Sequence, residues 1–129
     1  MIQSHLNKIW YKSDIKCRAL FINVPRFLLA LKDNISNHSE YIEHIKQNVL
    51  DADLVVWDEV ASKGFTDFEM DNMFNFINTR LDFNKSNIFT SNLNGEALKN
   101  KVGNRLYSRI TNLSECIELK GADKRSLAK

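Results

Sequence analysis

Four large apolar residues in a row, Leu54-Val55-Val56-Trp57, closed abruptly by Asp58 and Glu59, limit what this chain can fold into more than any other stretch. The run is too short for a buried helix and has no polar alternation, so it reads as a strand covered on both faces, the habit of parallel sheets. In such sheets function gathers at the carboxyl ends of the strands, and the two acids stand there. Their pairing suits one chemistry: one carboxylate holds Mg2+ directly or through water while its neighbour orients or deprotonates an attacking water. A strand running into a solvated turn would end the same way, so other segments must decide.

Those segments alternate between strand and helix. Ala19 to Val24 reads as a second buried strand, and Pro25 after it suits the first turn of a helix, where its missing N–H leaves nothing unpaired. Phe27, Leu28 and Leu31 predict a short helix from Arg26 to Leu31, followed by a polar surface loop from Asn34 to Ser39. Ser39 can cap a second helix with Ile42, Ile45 and Val49 on one face. Thr66-Asp67-Phe68-Glu69 matches a capping box, and Met70, Met73, Phe74, Ile77 and Leu81 continue it as an amphipathic helix whose stripe is core rather than a ligand box.

Asn87 to Asn92 reads as a third strand ending in Thr90, Ser91 and Asn92. Asn94 can cap a helix from Gly95 to Lys101, Gly103 breaks it, and a short basic helix from Asn104 to Ile110 places Arg105 and Arg109 one turn apart. Cys116 to Leu119 reads as a fourth strand before a basic tail from Gly121 to Lys129. At the other end, Ile2, Leu6, Ile9 and Trp10 predict an amphipathic helix from Met1 to about Tyr11 with no capping residue before it, as if its own N-terminal part were missing. Strands alternating with helices give an α/β class with a parallel sheet, because parallel neighbours need crossovers.

A chain of 129 residues, 43% hydrophobic and 26% charged, is one ordinary domain's worth. No apolar run approaches the roughly 20 residues that span a bilayer and no signal peptide is visible, so no membrane partner and a cytoplasmic location are expected. Cys17 and Cys116 read as structural thiols, and His5, His38 and His44 share no metal-ligand spacing. A net charge of +2 demands no polyanionic partner, although 18 Lys and Arg can still form a local patch.

Taken together, ADLVVWDEV as a Walker B strand, NIFTSNL as a sensor-1 strand, VGNRLYSRI as an arginine-finger segment and ELKGADKRS as a final strand with its tail resemble the AAA+ helicase-loader family, which includes the DnaC and DnaI loaders and the IstB transposition helper. The segments follow the family's order and approximate spacing from about Ala19 to Arg125. The resemblance implies a three-layer P-loop NTPase core with strand order 5-1-4-3-2. It also implies roles: Asp58 for Mg2+, Glu59 for the attacking water, Asn92 for the γ-phosphate, Thr90 beside the nucleotide, Arg109 as first and Arg105 as second choice of finger, and Arg125 as a sensor-2-like arginine. ATP and Mg2+ are the implied cofactors. The implied partners are a replicative helicase, single-stranded DNA and a second copy met through the finger.

The sequence departs from that pattern at one place. It contains no G-x-x-x-x-G-K-[ST] segment, whose backbone N–H groups and lysine cradle phosphates. The chain therefore reads as a single partial AAA+ domain over residues 1–129, lacking the first, central strand and the phosphate loop, with impaired ATP binding and a gap in its sheet. A non-hydrolysing module that binds a helicase or a full-length loader is the second reading. A metal-dependent nuclease using Asp58 and Glu59 lacks the further carboxylates or histidines such sites need.

Overall fold

The computed structural model describes residues 18–112 together with residues 114, 115 and 117. Among them the chain forms β1 (Ala19–Asn23), α1 (Val24–Ser36), α2 (Glu40–Asp51), β2 (Leu54–Asp58), α3 (Asp67–Asp82), β3 (Ser86–Phe89), α4 (Gly95–Val102) and α5 (Asn104–Asn112). The strands make one parallel sheet in the order β1-β2-β3. Val55, Val56 and Trp57 are all buried in its middle strand, as an apolar run without alternation requires. The order reproduces three consecutive places of the one implied by the resemblance. Among the described residues β3 is an edge strand, and its Ile88 is 45% exposed.

Local chemistry sets most of the boundaries. The Asn23 side chain accepts from the Arg26 N–H and Pro25 occupies the first turn of α1. Contrary to the sequence reading, α1 does not stop near Leu31, and residues 34–36 are its last turn rather than a loop. The reason is tertiary: Asn34 Oδ1 accepts from the Ser39 N–H at 2.7 Å and its Nδ2 donates to Glu43 at 2.6 Å, so polar residues that favour turns are held in helix by α2.

The capping box of α3 forms as expected, Thr66 accepting from the Glu69 N–H and Glu69 accepting from the Thr66 N–H. Asn94 takes the N-cap position of α4 but makes no side-chain cap bond there. The strand β3 is shorter than predicted and α5 two residues longer, reaching Asn112. The predicted helix from Met1 to Tyr11 and the tail with Arg125 lie outside the described residues. Of the predicted fourth strand only Ile117 is described, and it is exposed and in no strand.

One apolar cluster unites the helices with the sheet: Phe27, Leu28 and Leu31 of α1, Val49 of α2, Val55 and Trp57 of β2, Met73 and Ile77 of α3, and Leu106 and Ile110 of α5. Each such side chain contributes roughly 1.5–3 kcal/mol when removed from water. The Phe27 ring lies 5.3 Å from that of Phe76, edge to face, and 6.3 Å from that of Trp57.

One charged residue sits inside this core. Arg80 is 0% exposed, its Nε donating to Asn87 Oδ1 at 2.7 Å, Nη1 to the carbonyls of Val49 (2.7 Å) and Ala52 (2.6 Å), and Nη2 to that of Ser86 (2.7 Å). Asn87 Oδ1 also accepts from the Trp57 indole at 3.0 Å, so a single guanidinium ties the end of α2 and the start of β3 to the middle strand. Burial pushes the Arg80 pKa down to about 10, which leaves it protonated at neutral pH.

Candidate functional site

Asp58 is the last residue of β2, paired in register with Asn23 at the end of β1. The register of β2 with β3 brings Thr90 alongside it, one step past the Trp57 and Phe89 pair. The Thr90 N–H donates to the Trp57 carbonyl and the Val60 N–H to the Thr90 carbonyl, both at 2.9 Å, carrying the ladder beyond the formal end of β3. Three neighbouring strand ends thus meet on one edge of the sheet, the place where open parallel sheets bind ligands.

The Thr90 hydroxyl joins both acids. It donates to Asp58 Oδ1 at 2.5 Å, a short charge-assisted bond, and accepts from the Glu59 N–H at 3.1 Å. Glu59 is exposed and has φ 59°, a left-handed backbone uncommon for a residue with a side chain. Val60 and Ala61 then turn back into the core, and Ser91 Oγ donates to the Val60 carbonyl at 2.8 Å. The acids stand on a corner buttressed by the segment that follows β3.

Asn92 is exposed and, among the described residues, has no hydrogen bond to Glu59. Arg105 of α5 sits against α3: its Nη2 lies 3.7 Å from Asp71 Oδ1 and its Cζ 4.1 Å from the centre of the Phe74 ring. Both charged side chains are largely exposed, so the ion pair contributes below about 1 kcal/mol. Arg109 is exposed and makes no ion pair among the described residues. A cleft of about 430 Å3 lined by Met70, Phe74, Gly103 and Arg105 separates α3 from the junction of α4 and α5, and neither Asp58 nor Glu59 lines it.

Sequence reasoning missed Arg80, Asn87 and Asp53, the residues that hold the strands in place. Asp53 accepts from the Arg18 N–H at 2.9 Å and pairs with Lys85 at 3.5 Å; the backbone donor first, then the lysine, hold its carboxyl below the usual range against a desolvation effect that raises it. A signal for Arg80 was present: Met73, Ile77 and Arg80 repeat at the spacing of one helix face, which aims the arginine at the core.

The donor set fits Mg2+ only in company with a phosphate ligand. No group of three or more His, Cys, Asp or Glu able to hold a metal occurs among the described residues. Mg2+ bound with a nucleotide needs only one or two carboxylates, because phosphates and water complete its shell; Asp58 Oδ2 has no hydrogen bond among the described residues, and Glu59, next in the chain, is exposed. Asp58 would hold the ion. No helix among the described residues is long and apolar enough to cross a membrane.

No protein-family profile and no curated protein matches the chain. Solved structures do. The chain is similar to a crystal structure of the DnaC helicase loader, with a TM-score of 0.71 and 20% identity over 88% of this chain and 67% of that one. It is also similar to the replication initiator DnaA bound to AMPPCP and single-stranded DNA (TM-score 0.67, 20% identity, 84% of this chain and 32% of that one). Domain III of the Thermotoga maritima initiator DnaA gives a TM-score of 0.64 at 21% identity, over 84% of this chain and 44% of that one. The chain thus spans about two thirds of the loader and less than half of these initiator chains. Three parallel strands in this order, with these helices between them, make an α/β fold similar to that of the DnaC helicase loader and the DnaA initiators.

Proposed function

We propose that this chain is a DNA-replication protein of helicase-loader type, carrying the acid and sensor half of a loader's ATP site. The observation behind the proposal is the corner at which Thr90 ties Asp58 and Glu59 together at the carboxyl edge of a sheet with the loader's strand order. In that reading Asp58 positions Mg2+ and Glu59 takes a proton from water aimed at the terminal phosphate. Asn92, two residues beyond Thr90 on the solvent side, meets that phosphate. Bound Mg2+ would neutralise charge on the phosphates. Arg125 would add a contact to the nucleotide from the basic tail.

Arg109 is the arginine finger of this reading, directed at a second copy or a full-length loader. The geometry favours it over Arg105, which Asp71 and Phe74 already engage. The partners would be a replicative helicase and single-stranded DNA in the cytoplasm, with ATP binding and hydrolysis timing the helicase's release. Without a glycine-rich phosphate cradle in this sequence, residues 1–129 act as a partial AAA+ domain, and nucleotide affinity is impaired.

Titration calorimetry of the purified chain with Mg-ATP tests the proposal, with Asp58→Ala as control. Weak binding that Asp58→Ala abolishes is expected; binding indifferent to Asp58→Ala would sink the assigned roles. Exposed Arg109 together with the missing cradle also favours a second reading, a non-hydrolysing module that binds a helicase or a full-length loader. Copurification with either partner, lost in Arg109→Ala, and no Mg-ATP binding by the folded chain would select it. An IstB-like transposition helper is a further alternative.

A further inference from the structure

Resting on the acid-pair reading above, we infer that Thr90 is a positioning residue for both acids rather than a nucleotide contact. Its hydroxyl has one proton to donate, and that proton is spent on Asp58 Oδ1. One of its lone pairs accepts the Glu59 N–H. Donation to Oδ1 restrains the Asp58 carboxylate, and no hydrogen bond to its other oxygen, Oδ2, occurs among the described residues. Acceptance from the Glu59 N–H ties down that residue, whose φ of 59° takes the chain out of the strand direction.

Thr90 is itself fixed by two backbone bonds, from its N–H to Trp57 and from Val60 to its carbonyl. The hydroxyl is therefore held in position before any ligand arrives. A movement of the segment after β3, where Ser91 and Asn92 lie, reaches both acids through this one oxygen. Removing an outer partner of a metal-binding carboxylate lowers metal affinity about 10- to 100-fold in other proteins, which sets the scale expected here.

The test uses the full 129-residue chain and Mn2+ together with inorganic pyrophosphate, which completes the metal's shell, as the probe, read by paramagnetic broadening of backbone amide signals next to Asp58 and Glu59. Thr90→Val should weaken Mn2+ binding about tenfold, and Thr90→Ser, which restores the hydroxyl, should return it to the original value. A purely structural role would leave Mn2+ affinity the same in a folded Thr90→Val chain. Amide hydrogen exchange of Glu59 in the unaltered chain supplies a readout that needs no variant to fold: it should be about tenfold slower than that of exposed Lys63.

Unprotected exchange at Glu59 overturns the inference. So does a Thr90→Val chain that keeps its Mn2+ affinity while Asp58→Asn loses it. If Asp58→Asn itself leaves Mn2+ binding unchanged, the acid-pair reading has failed and the positioning role falls with it.

Discussion

Replacing Arg80 by methionine should cost this domain about 3–5 kcal/mol, because buried acceptors left without a donor cost about 1–3 kcal/mol each. The side chain is 0% exposed and makes four hydrogen bonds of 2.6–2.7 Å, to Asn87 Oδ1 and to the carbonyls of Val49, Ala52 and Ser86. Bonds to a charged donor contribute about 1.5–3 kcal/mol each, so the gross gain is on the order of 6–12 kcal/mol. Burying the guanidinium offsets several kcal/mol of that, the same desolvation that lowers its pKa to about 10. Methionine fills similar volume but takes their donor from the carbonyls of Val49, Ala52 and Ser86, and leaves Asn87 Oδ1 with the Trp57 indole alone. Urea unfolding followed by circular dichroism at pH 7 measures the loss, with m unchanged between variants. Against a total stability of roughly 5–15 kcal/mol the loss would be large. Arg80→Lys should fall between the two, since an ammonium cannot reach all four acceptors in a planar fork. A folded Arg80→Met chain within about 1 kcal/mol of the original would refute the reasoning, because the guanidinium would then be no better than hydrocarbon at this site.

Glu59→Gly should stabilise the chain by about 0.5 kcal/mol in the same assay, as release of roughly 1–2 kcal/mol of left-handed strain exceeds the roughly 0.4–1 kcal/mol of added unfolded-chain entropy. A loss of stability would mean that the Glu59 side chain has a structural task. Gly103→Ala should destabilise by about 1–2 kcal/mol, because φ is +90° there and a Cβ would stand 2.8 Å from Met70 Sδ; thermal melting reads this directly. Thr66→Ala should cost about 1 kcal/mol through the lost cap of α3, whereas Thr66→Ser should be nearly silent. In acid, the stability that Asp53 contributes is fully present above the ordinary carboxylate pKa of 3.8 and is lost as pH falls through its lower folded value. Asp53→Asn should therefore flatten the pH dependence of urea unfolding below that range, and an unchanged slope would count against the assignment.

The apolar run Leu54–Trp57 and the acids that end it were legible in the sequence, because a strand buried on both faces leaves no polar alternation. Pro25, Ser39 and the Thr66 capping box announced three helix starts through local bonds that need no distant partner. Those features determined the α/β class and placed Asp58 and Glu59 at the carboxyl edge of the sheet. Only tertiary structure decided the rest. It extended α1 through Asn34, whose side chain finds Ser39 and Glu43 across a turn. It buried Arg80 among carbonyls from α2 and β3, engaged Arg105 with Asp71 and Phe74, and brought Thr90 across 32 residues to Asp58. The physical reason is common to all of these. A polar side chain is stabilised by whichever complementary groups the fold brings within about 3 Å, and those groups belong to segments that periodicity and capping rules read one at a time.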